Sequence, residues 1–164
     1  MSSTLPPFQA FLDQHRDVVW RFLVASVGRV EADDCFQETF IAALRAYPQL
    51  GGKRREHNLR AWVLTIAHNK ALDAHRARSR RATPVADTLA VGDAAAPAEP
   101  DGARDEELWE AVDGLPERQR SAVVLRFVGD LPHREIATAI GCSEEAARRS
   151  LHEGLSKLRK VVPA

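Results

Sequence analysis

From Phe8 onward the core-facing positions recur at helical spacing. Phe8, Phe11, Leu12, His15, Val18, Val19, Phe22 and Leu23 share one stripe at i, i+3 and i+4. A second stripe begins after Arg29, with Cys35, Phe36, Thr39, Phe40, Ala43 and Leu44 on its inner side, and ends near Tyr47-Pro48. The turn-rich LGGKRRE follows, and Asn58 is placed to cap a third helix. That helix turns Leu59, Trp62, Val63, Ile66, Ala67 and, less tightly, Leu72 inward. It runs into the basic stretch His75–Arg81 and stops before Pro84. The spacing of Trp62 with Leu59, Val63 and Ile66 makes it a core residue and not a stacking platform.

The periodicity then breaks. Residues 82–104, ATPVADTLAVGDAAAPAEPDGAR, hold prolines at 84, 97 and 100 and no aromatic residue. Each proline removes a donor and restricts the residue before it, so this segment reads as a flexible linker. Beyond it, Leu108, Trp109, Val112 and Leu115 mark a short amphipathic helix. Pro116 opens the next one, with Val123, Val124, Phe127 and Val128 on its apolar side.

The clearest local signal lies in LPHREIATAIGCSEEAARRSLHEGLSKL, residues 131–158. Ile136, Ala137 and Ile140 are the apolar side of a short helix, and Gly141 supplies the left-handed backbone of a tight turn. Ser143 is a natural N-cap, and Glu144 and Glu145 complement the positive helix end. The following helix buries Ala147, Leu151, Leu155 and Leu158, leaving Arg148, Arg149, His152 and Ser156 outside. A small inner face with a polar outer one suits entry into a DNA major groove. No segment alternates with period two for long enough to make a strand, so the fold class is all-α: two small helical domains, 5–81 and 105–162, joined by the 82–104 linker.

Charge changes this picture more than composition does. The 164 residues, 45% hydrophobic and 28% charged, describe a globular chain with enough length to bury roughly 70% of its unfolded surface. The formal net charge of zero hides four blocks: −3 over residues 1–41, +8 over 42–81, −9 over 82–117 and +4 over 118–164. Two basic helices separated by an acidic segment predict two polyanion-facing surfaces and a connection that avoids the polyanion. No run approaches a membrane span, and MSSTLPPFQAFLDQHRD lacks a basic region before an apolar one, so neither membrane insertion nor a signal peptide is expected and the cytoplasm is the default. Cys35 and Cys142 form no CxxC or Cys/His cluster, which argues against zinc and a disulfide framework. His68 and His75 lack metal-ligand companions and read as surface contacts at most. No cofactor is called for, and no nucleophile–base pair or phosphate-cradling loop suggests an enzyme.

Three segments together resemble a known family. ADDCFQETFIAAL (32–44) is similar to the core-polymerase-binding helix of sigma-70-type transcription initiation factors. NLRAWVLTIAHNKALDAHRARSRR (58–81) resembles their promoter −10 recognition helix, and LPERQRSAVVLRF (115–127) with the helix-turn-helix resembles their −35-binding domain. With one short linker and no third domain, the resemblance is to the minimal extracytoplasmic-function type, whose halves are a sigma2-like bundle and a sigma4-like domain.

The resemblance implies roles for residues at matching positions. Asp33, Asp34, Gln37 and Glu38 would face the β′ clamp helices of core RNA polymerase, the β flap being the second polymerase contact. Asn69 matches a position that touches an unpaired −10 base, followed by Asp73, Arg76 and Arg80. His133, Arg134, Arg148, Arg149 and His152 match −35-binding positions. Glu153 stands where the family often has a basic residue, and Ser143-Glu144-Glu145 departs from its usual opening, so no −35 sequence carries over. Family members commonly also bind an anti-sigma factor. A stand-alone helix-turn-helix regulator explains residues 131–158 equally well, but not the acidic helix followed by the long basic one.

Overall fold

The first half is built around one phenylalanine. Phe11, fully buried, packs its ring against Phe8, His15, Phe40, Tyr47 and Trp62 at centroid distances of 4.9 to 6.4 Å. Tilted and edge-on aromatic pairs of this kind add to the burial of their area. In this computed structural model, which describes residues 5–50, 59–81 and 102–162, three helices supply that cluster: α1 (Phe8–Val27), α2 (Arg29–Ala46) and α3 (Leu59–Arg81). They pack mutually, and a 3₁₀ turn over Tyr47–Leu50 closes the end of α2. The Tyr47 hydroxyl donates to the Pro6 carbonyl at 2.5 Å, pinning the entry to α1 onto that turn.

The second half contains α4 (Gly102–Asp113), α5 (Glu117–Phe127), α6 (His133–Ile140) and α7 (Glu144–Val161). Gly102 to Arg104, at the end of the expected linker, form the first turn of α4; the rest of that linker, like Asn58, lies outside the described residues. Helices α5 and α7 approach closely at Gly154, where a Cβ would stand 3.0 Å from Val123 Cγ2. Among the described residues no strand occurs, in keeping with the all-α expectation.

Two apolar positions expected inside lie outside. Leu44 is 53% exposed. A four-residue step advances about 40° around an α-helix. From Phe36 through Phe40 to Leu44 the stripe therefore rotates off the core, while Ala43 takes the inner place. Phe127, 62% exposed, stands at the last position of α5 and lines an apolar groove with Leu108, Trp109, Val112, Leu155 and Leu158.

Candidate nucleic-acid interface

Helix α2 presents two chemically different sides. Ala32, Cys35, Thr39, Phe40 and Ala43 are buried, and the Thr39 hydroxyl donates to the Cys35 carbonyl at 2.6 Å, keeping it satisfied inside the core. Burial, with Glu38, Glu31 and Asp34 nearby, pushes the Cys35 thiol up to about 11, so it is a neutral packing group. Asp33, Asp34, Gln37 and Glu38 are all exposed on the other side. Asp34, Gln37, Glu38 and Ile41 share one flank, and exposed Ile41 and Leu44 extend it. The result is an acidic stripe with an apolar end, a surface suited to a protein partner.

Helix α3 carries the basic stripe. Asn69, Asp73, Arg76 and Arg80 are exposed, and their spacing of four, three and four residues aligns them on one face. Arg78, Arg80 and Arg81 occupy the last turn, where the helix dipole favours cations. Arg78 donates to Glu31 and to the Val27 carbonyl, tying the end of α3 to the α1–α2 junction. Arg76 reaches Glu117 of α5 at 3.3 Å.

The two histidines of α3 are not surface contacts. His68 is buried at 4% exposure, and neither ring nitrogen has a hydrogen-bond partner. Burial lowers its pKa to about 4, against a smaller opposing effect of Glu117, so it is neutral near pH 7. His75 is half-buried with Nε2 2.6 Å from the Ser26 carbonyl. Both were misplaced for one reason: the second half covers a side of α3 that the first-half stripe leaves polar. Trp62 does pack on Phe11 and Tyr47 in the core.

The helix-turn-helix is built as its residues require. Gly141 has φ 80° and ψ 40°, the left-handed region open to glycine at little cost. The Ser143 hydroxyl accepts from the Ala146 amide at 3.1 Å, capping α7. Ala147, Ser150, Leu151, Gly154 and Leu158 face inward, so Arg148, Arg149 and His152 project outward. Arg134 is exposed and His133 half-buried in the first turn of α6. Arg148 is steadied by Glu144 one turn back at 2.7 Å, while Glu153 accepts from Gln119 at 3.0 Å and is thereby committed to the α5–α7 contact.

Three residue groups are therefore gathered on separate faces: an acidic–apolar one on α2, a basic one on α3 and a polar one on α6 and α7. Among the described residues no three His, Cys, Asp or Glu side chains come together as metal ligands. No helix among them is long and apolar enough to cross a membrane. Ile41 and Leu44 of the first face, and the Trp109–Phe127 groove, escape a search for chemistry-bearing residues because their signal is only misplaced hydrophobicity.

Comparison with known proteins brings the same segments together. Residues 11–81 match the family model for Sigma-70 region 2, and residues 105–158 that for Sigma-70, region 4. The ECF RNA polymerase sigma factor SigD of Mycobacterium tuberculosis is 34% identical, over 93% of this chain and 76% of the relative. SigX of Bacillus subtilis, of the same description, is 28% identical over 93% and 82%. The fold is similar to that of the sigma factor RpoE from Bartonella quintana, solved with the anti-sigma factor NepR (TM-score 0.78, 19% identity, 94% of this chain and 95% of that one). CnrH, solved with the cytosolic domain of CnrY, also resembles it (TM-score 0.68, 21% identity, 93% and 85%).

Proposed function

The chain belongs to the sigma-70 family, among its ECF RNA polymerase sigma factors that direct transcription initiation, and from that premise we propose how its helices divide the work. The acidic–apolar flank of α2, with Asp33, Asp34, Gln37 and Glu38, docks on the β′ clamp helices of core polymerase. The α3 stripe of Asn69, Asp73, Arg76 and Arg80 captures the melted −10 strand, Asn69 reading an extruded base. His133, Arg134, Arg148, Arg149 and His152 engage the −35 duplex. The apolar Trp109–Phe127 groove offers the β flap a seat.

This division keeps the domains at 5–81 and 105–162 with the acidic 82–104 segment as linker. The observation that carries it is the alignment of each residue group on one exposed helix face, inside the two segments that match sigma regions 2 and 4. A stand-alone regulator leaves the region 2 match and the α2 stripe without a purpose. The protein works in the cytoplasm and recruits polymerase without catalysing a reaction, and an anti-sigma factor is a further partner. A neutral Asn pairs with a base without attracting phosphate, whereas Arg148 and Arg149 have both bidentate guanine contacts and phosphates open to them. Flipping a base costs a few kcal/mol of stacking, which binding of the exposed base offsets.

Reconstitution with core polymerase tests the whole assignment. Wild-type protein is expected to co-purify with core and support run-off transcription. Failure to bind core would return the helix-turn-helix regulator as the better account.

A further inference from the structure

The two halves close on each other over the basic helix. Arg60 of α3 donates from Nε to the Gly129 carbonyl at 2.9 Å, and a Cβ on Gly129 would stand 3.1 Å from Leu64 Cδ1 of α3. Arg76, a member of the exposed α3 stripe, pairs with Glu117 at 3.3 Å. Between these points His68 is shut in a narrow space with Ser26, Ala71, His75, Arg120, Ser121 and Val124, three of them from α5.

This arrangement cannot serve promoter binding as it stands. Elements named for positions −10 and −35 lie about 25 base pairs apart, roughly 85 Å at ~3.4 Å per pair. A compact chain of 164 residues has a radius of gyration near 15 Å, hence a width of about 40 Å. Its two DNA faces cannot reach both elements while the halves touch. The twenty residues between Arg81 and Gly102 span up to about 70 Å when extended, which is enough for the halves to part.

The closure is also built to yield. Its ion pair joins two side chains that are more than half exposed, a type that contributes little. Its buried imidazole lacks any hydrogen bond, a cost that opening removes.

We propose that the packing of α5 and the α5–α6 turn onto α3 is an autoinhibitory clasp, in which the free chain holds Arg76 on Glu117 and restricts strand access to α3 until core polymerase separates the halves. The inference rests on the reading of α3 as the −10 helix. A partner that binds only the open form has its apparent affinity lowered by the fraction closed, so the clasp sets a threshold for both polymerase and DNA.

The buried histidine gives the clasp a proton response. His68 is held near 4 in the closed form and returns to about 6.5 in water, so the open form binds the proton more tightly. Above pH 6.5 both forms are neutral and closure is unaffected; as pH falls from 6.5 toward 4, closure is progressively lost. At pH 5 the shift favours opening by about thirty-fold. The other charged groups facing this contact are His75, Arg76, Arg78 and Arg120 and, of opposite sign, Asp113 and Glu117; His75 is likewise depressed, chiefly by burial, and acts in the same direction.

The test uses the full chain and two uncharged substitutions. Ser121→Trp wedges the contact from the α5 side, and His68→Leu removes the unpartnered imidazole. Small-angle scattering reads the radius of gyration, and a labelled single-stranded DNA 20-mer of mixed sequence reads access to α3. Wild type is expected to be compact at pH 7.5 and to expand toward pH 5. Ser121→Trp should be expanded at both pH values and bind the 20-mer several-fold more tightly at pH 7.5, while His68→Leu stays compact at both. If Ser121→Trp fails to fold, the contrast between wild type and His68→Leu across pH decides alone. A wild-type chain already expanded at pH 7.5, an opened chain with no gain in strand binding, or an unchanged pH response in His68→Leu overturns the clasp. The reading of α3 is judged separately, by whether Asn69→Ala alters −10 preference in holoenzyme.

Discussion

Arg60 and Gly129, sixty-nine positions apart, are joined by one hydrogen bond from the Arg60 Nε to the Gly129 carbonyl. Its consequence is visible at Leu64, one turn along α3. Leu64 lies off the flank that carries Val63 and Ala67, yet it is fully buried, because the turn after α5 rests on it. Helix α3 is therefore packed from two directions, and only its Asn69–Arg80 stripe remains outside.

On α2, charge governs the polymerase contact. Gln37→Ala combined with Glu38→Lys is expected to abolish co-purification with core polymerase. Both side chains are exposed, so thermal stability should stay within about 0.5 kcal/mol of wild type. Undiminished pull-down by the double variant would remove α2 from the polymerase interface.

Asn69 and Arg148 should fail differently. Asn69→Ala is expected to impair open-complex formation and relax −10 preference, with little change in salt dependence. Arg148→Ala should lower the salt slope of holoenzyme binding by about one unit if it contacts phosphate, or lose roughly 1–3 kcal/mol at one −35 position if it contacts a base. Run-off transcription on duplex and pre-melted templates separates them. A pre-melted −10 region should rescue Asn69→Ala and not Arg148→Ala.

Replacing His68 with leucine should stabilise the chain. The substitution removes two unpartnered ring nitrogens from a buried place, a gain of about 1 kcal/mol at pH 7.5. At pH 5 the gain should be larger, because the wild-type imidazole, depressed to about 4 by burial, is protonated in the unfolded chain and not in the folded one. Thermal melts at the two pH values measure the difference, and equal gains would show that His68 titrates normally.

The recognition helix depends on its cap and on a missing side chain. Ser143→Ala removes the acceptor for the Ala146 amide and should cost about 1 kcal/mol. Gly154→Val forces methyl groups toward Val123 Cγ2, already 3.0 Å from an ideal Cβ, and should cost about 1–3 kcal/mol by overpacking α5 against α7. Chemical denaturation of the full chain gives both values, with Gly154→Val expected to be the worse for −35 duplex binding as well.

Local chemistry alone determined much of this protein. The Phe11–Leu23 stripe, the Gly141 turn, the Ser143 cap and the outward Arg148, Arg149 and His152 are all legible in the sequence, since each depends on helical periodicity or on one residue's backbone preference. The acidic and basic faces of α2 and α3 are legible for the same reason: an amphipathic helix declares which side avoids water. The fate of the polar side was decided by tertiary structure. His68 and Asn69 are adjacent in a basic helix, yet one is sealed beneath α5 and the other faces solvent. Leu44 and Phe127, apolar in sequence, stay outside because their helices rotate them away from any neighbour. Periodicity records one face per helix, whereas a helix packed from two directions has its second face set by residues dozens of positions away.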